Sequence, residues 1–140
     1  MKKYHKGYTA GVFDMFHIGH LNILKNAKDL CEFLIVGVST DEVVMQHKDK
    51  TPIIPFDERF QIVSSIKYVD LVIPQNGYDK SYKIDLAKKL KIDVMFVGSD
   101  WKGTEKWNLL EKELKEIGCD VVYLKHTDGI SSTILRSKIK

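Results

Sequence analysis

The sequence predicts an α/β fold, a doubly wound parallel sheet of about five strands with flanking helices. Two observations carry this. Short apolar runs rich in strand formers alternate with segments of helical spacing along the whole chain. One run, Phe33 to Ser39, is apolar without a break, as suits a strand buried on both faces of a parallel sheet. At 140 residues the chain is read as a single domain, 1–140, long enough to bury a real core.

The first strand, Gly7 to Phe13, runs into a tight turn and then a helix whose apolar residues are Leu21, Leu24, Ala27, Leu30 and Cys31. Two histidines, His17 and His20, fall in that helix's first turn. Unpaired N–H groups and the positive end of the helix dipole gather there, a ready place for phosphate. Gly19 between them removes a side chain where a ligand would approach the backbone. The pair equally suits a cap or half of a metal site, although no Cys or Glu cluster stands nearby to complete one.

After the Phe33–Ser39 strand, Ser39 to Glu42 offers caps for a short helix to about Gln46. His47 to Pro52 is polar and aperiodic, a loop carrying Lys48 and Lys50. The next helix has Asp57 as a cap and a buried face of Phe60, Ile62, Val63 and Ile66. Arg59 in its first turn is either a surface charge or a phosphate clamp. Tyr68 to Pro74 reads as the third strand, Asp79 to Leu90 as a helix, and Ile92 to Gly98 as the fourth strand. Ser99 to Gly103 sits at its carboxyl end, where ligands collect in open α/β sheets. Glu105 to Ile117 is helical, Asp120 to Leu124 is the last strand, and His126 to Thr133 leads into a final helix through Lys138. The hydroxyls of that last turn suit phosphate binding or plain capping by Ser131 or Ser132.

Composition narrows the function classes. A net charge of +3, with lysines scattered along helices, gives no footprint for nucleic acid. There is no membrane-length apolar run, and Cys31 and Cys119 form no metal spacing, so a cytoplasmic protein with reduced, buried thiols is expected. Neither GxxxxGK[ST] nor GxGxxG is present.

Gly11-Val12-Phe13-Asp14 and His17-Ile18-Gly19-His20 together resemble the GxFDxxHxGH signature of the nucleotidyltransferase superfamily. Three further segments resemble cytidylyltransferases, especially the bacterial glycerol-3-phosphate enzymes. They are Ile66–Ile73 (family RYVDEVI), Gly98–Trp101 (GDDW) and His126–Thr133 (RTxGIST).

The resemblance implies a Rossmann-like homodimer that joins CTP, carried with Mg²⁺, to a phosphorylated small-molecule acceptor, releasing pyrophosphate. It implies catalytic roles for His17, His20, Lys48 and Arg59 on the reacting phosphates. It places Gly11, Val12, Phe13, Asp14, Gly19, Lys50, Asp100, Trp101, Thr127, Gly129, Ile130, Ser131, Ser132 and Thr133 around the nucleotide. Lys67, Asp70 and His126 fall to the acceptor. No protein metal site is implied. Val12, Lys67 and His126 stand where the family has Thr, Arg and Arg. Lysine keeps charge but loses the bidentate fork. The acceptor therefore stays open among glycerol-3-phosphate, phosphocholine, phosphoethanolamine and others. An ATP-using adenylyltransferase and a silent nucleotide-binding module are the competing readings.

Overall fold

The computed structural model describes residues 2–127 and 131–138. The elements run β1 (Tyr4–Gly11), α1 (Ile18–Leu30), β2 (Cys31–Ser39), α2 (Asp41–Lys48), α3 (Phe56–Ser64), β3 (Leu71–Gln75), α4 (Lys80–Leu90), β4 (Val94–Gly98), α5 (Glu105–Glu116), β5 (Asp120–Leu124) and α6 (Ser132–Lys138). All neighbouring strands pair in parallel, in the order β3-β2-β1-β4-β5.

The apolar run of β2 behaves as its composition requires. Leu34, Val36 and Val38 join Leu24 and Ala27 of α1 and Val63 of α3 in one core. Ile35 faces the other side and joins Ala87 of α4 and Trp107, Leu110 and Leu114 of α5. Helices therefore cover both faces, giving the three-layer, doubly wound architecture. From β1 the chain winds outward through β2 and β3, then crosses to β4 on the other side of β1. The crevice at the carboxyl ends of β1 and β4 is thus the topological switch point.

Several boundaries differ from the sequence reading. The first strand is Tyr4–Gly11, because Phe13 takes a left-handed backbone (φ 56°) that ends the extended run. Cys31 opens β2 rather than closing α1, and both cysteines are buried free thiols. α3 begins one residue before Asp57, which makes no side-chain cap. Instead Phe56 N donates to Asp41 Oδ2 at 3.3 Å. The buried face of α3 holds Arg59 and Val63, while Ile62 is exposed. Pro74 does not stop β3, which is an edge strand and tolerates a missing donor.

Candidate active site

The turn after β1 is built around strain. Phe13 and Met15 both hold positive φ, 56° and 49°, a region that costs a non-glycine residue about 1 kcal/mol. Burial of the Phe13 ring in the α1-side core and a 2.8 Å hydrogen bond from Arg59 Nη1 to the Val12 carbonyl hold the turn in place.

His17 is the N-cap of α1. Its Nδ1 accepts from Gly19 N, and His20 Nδ1 accepts from His17 N, each at 3.1 Å. The two imidazoles thus form a reciprocal capping box, the arrangement Ser and Glu usually supply. Because each Nδ1 spends its lone pair on a backbone N–H, the proton of each neutral ring sits on Nε2. The rings stack at 3.8 Å between centroids. His17 Nε2 is buried with no hydrogen-bond partner among the described residues. Burial lowers the His17 pKa. Burial first, then the neighbouring His17, lowers that of His20 to about 4, against a weaker upward pull from Asp14. At neutral pH the pair therefore presents two Nε2–H donors that carry no net charge.

Cations gather around Asp14 of the preceding turn. Lys48, at the end of α2, has its pKa lowered by burial, then by Lys50 and Arg136, with Asp14 opposing. Arg136 of α6 reaches across to Asp14 Oδ2 at 2.6 Å, a direction no sequence pattern revealed. Asp14 also accepts from Ile53 N (2.8 Å) and Ile54 N (2.9 Å). Burial pushes the Asp14 pKa up, but these hydrogen bonds outweigh it and hold the carboxyl below its ordinary value. Asp14 was expected to line the nucleotide site. It pins the end of the Lys48 loop and Arg136 to the first turn.

Arg59 also departs from expectation. Its side chain is fully buried, and its donors go to the carbonyls of Ile54, Val12 and Ser39 and to Asp41. A guanidinium committed in this way has no fork to offer a phosphate. It ties β1's turn, the end of β2, the start of α2 and the end of the Lys48 loop into one frame.

On the other side of the crevice, His126 Nε2 lies 3.1 Å from Asp100 Oδ2. His126 crosses the end of β4 where Gly98 leaves room, since a Cβ there would sit 2.9 Å from that nitrogen. Trp101 is half exposed on the 3-10 turn Ser99–Trp101. Thr127 Oγ1 accepts from Asn22 Nδ2 at 2.9 Å, joining the last turn to α1. Ser131 acts as a cap, its Oγ accepting from Ile134 N at 3.1 Å. Thr133 and Lys50 are exposed. Gly129, Ile130 and the side chain of Ser132 lie outside the described residues.

The structure does not bring Lys67 and Asp70 to this place. Both follow α3 and precede β3, at the amino edge of the sheet, whereas the histidines lie at the carboxyl edge. Lys67 sits over the Tyr68 ring. Asp70 accepts from Leu34 N at 2.7 Å and pairs with Lys28. Its role repeats elsewhere. Asp93, before β4, accepts from Lys6 N at 2.8 Å, and Asp120, opening β5, accepts from Tyr4 Oη at 2.9 Å. The recurring Asp before an apolar run was the sequence signal that Asp70 holds a strand start. Asn22 and Arg136 had no such signal, because their partners are 105 and 122 residues away.

The comparisons with known proteins point the same way. The chain is 37% identical over 131 residues to glycerol-3-phosphate cytidylyltransferase of Staphylococcus aureus, covering 94% of this chain and 92% of that one. It is 38% identical over 119 residues to FAD synthase of Pyrococcus horikoshii, covering 84% and 76%. A lipopolysaccharide core biosynthesis protein of Thermoplasma volcanium shares the fold at a TM-score of 0.68 and 26% identity, covering 88% of this chain and 96% of that one. The cytidylyltransferase-like family model matches residues 8–138, which takes in both turns and every strand end that frames the crevice. The chain that closes its first helix with two histidines is a member of the cytidylyltransferase-like family.

Proposed function

We propose that the protein transfers the cytidylyl group of CTP to a phosphorylated small alcohol, with glycerol-3-phosphate as the acceptor. The observation that carries this is the histidine capping box at the switch point, following a turn whose Asp14 holds Arg136 and acts on Lys48. The glycerol-3-phosphate cytidylyltransferase of S. aureus supports the choice of acceptor.

In this reaction a phosphate oxygen of the acceptor attacks the α-phosphorus of CTP. The bond from that phosphorus to the bridging oxygen breaks, and pyrophosphate leaves with the electron pair. The nucleophile is already anionic, so no general base is required. What remains is to bring two polyanions into line and to stabilise the charge on the equatorial oxygens. Preorganised donors are suited to that, each worth about 10²–10³ in rate. His17 and His20 supply two, and Lys48, Lys50 and Arg136 offset the approach of like charges.

Among the described residues no three His, Cys, Asp or Glu side chains converge on a metal position. Mg²⁺ in this proposal enters as the companion of the triphosphate. Among the described residues no helix is long and apolar enough to cross a membrane. The proposal places the enzyme in the cytoplasm as a homodimer, which sedimentation of the purified protein checks.

The test is pyrophosphate release with CTP and Mg²⁺ against glycerol-3-phosphate, phosphocholine and phosphoethanolamine. Turnover with glycerol-3-phosphate is expected. The likeness to FAD synthase makes ATP with FMN the control. Turnover there alone would replace this reading with an adenylyltransferase, and CTP binding without turnover on any arm would replace it with a binding module.

A further inference from the structure

The ring of His20 is held by more than its hydrogen bond. Phe13 meets it edge-on at 5.4 Å between centroids, Phe16 lies tilted against it at 5.2 Å, and His17 stacks on it at 3.8 Å. Phe13 and Phe16 also contact each other, at 6.3 Å. Three aromatic rings therefore surround one imidazole. Phe13 comes from the strained turn and is buried in the α1-side core. Phe16 belongs to neither a strand nor a helix, and it is only partly buried against that core. Its distinctive contacts are with the Phe13 and His20 rings.

We propose that Phe16 is a positioning residue for catalysis: its ring completes an aromatic box that keeps water from His20 and fixes the imidazole with Nε2–H toward the reacting phosphates. The inference rests on the transferase reading above. The charged and titratable groups that face His20 are His17 from the helix start and Asp14 from the turn. Asp14 in turn hydrogen-bonds Arg136 and acts electrostatically on Lys48. His17 disfavours a charged His20 and Asp14 favours it, but burial outweighs both. A neighbour that excludes water is therefore the strongest lever on this ring's protonation.

Protonation matters to the geometry as well as to the charge. An imidazolium carries a proton on Nδ1 and can no longer accept from His17 N, so the capping box opens. Keeping the ring dry thus keeps it oriented.

The experiment follows His20 by ¹H–¹⁵N NMR through an acid titration, alongside the pH profile of kcat, in the whole protein and its Phe16 variants. In the unaltered protein His20 should stay neutral to near pH 4. Phe16→Ala should raise that midpoint toward the ordinary imidazole value and carry the acid limb of kcat with it. At pH 7 its kcat should fall about 10-fold, with the KM for CTP changed less than about 2-fold, as expected of displaced orientation rather than lost binding. Phe16→Leu, which keeps most of the apolar volume, should show the same shift in smaller measure if the alanine variant folds poorly. Phe16→Tyr, which keeps the ring, should restore the unaltered profile. A folded alanine or leucine variant whose His20 midpoint stays where it was would overturn the proposal. The NMR titration needs no turnover, so a silent enzyme with a shifted midpoint would count against the transferase reading and leave the aromatic box intact.

Discussion

The two edges of the sheet treat their charges in opposite ways. At the amino edge, Asp70, Asp93 and Asp120 each receive a hydrogen bond that holds a strand start: from Leu34 N, from Lys6 N and from Tyr4 Oη. At the carboxyl edge, Arg136 hydrogen-bonds and Lys48 faces electrostatically one carboxylate, Asp14, which already serves two backbone N–H groups, and a buried histidine nitrogen has no partner among the described residues. One edge is closed on itself, and the other leaves a buried polar atom without a partner among the described residues. Charge type alone does not separate structure from function here. What separates them is whether the protein itself satisfies the group.

Arg59 tests that distinction most severely, because it lies at the functional edge yet is satisfied. Arg59→Ala should destabilise the fold by about 3–5 kcal/mol, since it strands Asp41 and three carbonyls. Arg59→Lys should recover only part of that, because one ammonium cannot reach four acceptors. Urea denaturation reads both. Variants that stay as stable as the parent but lose turnover would show the arginine acting on substrate.

His20→Ala should do the reverse, lowering kcat about 10²–10³-fold in steady-state assays while thermal unfolding shows a folded protein. A nearly unaltered rate would remove the histidines from the chemistry.

Asp70→Asn sharpens the contrast from the closed edge. It should cost about 1–2 kcal/mol of stability and leave kcat and both KM values within about 2-fold. Burial raises the Asp70 pKa, but the bonds from Lys28 and Leu34 N outweigh it and the net shift is downward. The carboxylate's contribution is therefore present above the unfolded carboxyl pKa and lost as pH falls through the lower folded value. The asparagine variant should lose less stability than the parent over that acid range.

A further effect is a slope. His20 titrates near 4 in the folded protein, below the ordinary 6.5, so between those values the unfolded chain binds more protons. Stability should fall as pH drops through that window, and His20→Gln should flatten the curve. An unchanged slope would show that His20 is not held neutral.

The layered fold was legible in the sequence because burial on both faces leaves an uninterrupted apolar run, as in β2, and burial on one face leaves a helical period, as in α1. The histidines were legible by their place at a helix start, and their capping role was latent in the i, i+3 spacing. The fates of Arg59, Asp14 and Asp70 were not. An arginine in a helix's first turn looks the same whether it faces solvent or the carbonyls of three distant segments. Asp14 and Arg136 are 122 residues apart and meet only once the sheet is assembled. Asp70 was placed with the acceptor by its family position, and within this chain it lies at the amino edge, accepting from Leu34 N and paired with Lys28.

In the proposed reaction the carboxyl edge offers phosphate two neutral imidazoles with their protons on Nε2. Long-range ¹H–¹⁵N NMR of His17 and His20 in the ligand-free protein at pH 7 tests it most directly. Both rings should be neutral, with the proton on Nε2 and a bare, accepting Nδ1. A proton on Nδ1 of either ring, as the other tautomer or as an imidazolium, would contradict the capping box and the mechanism built on it.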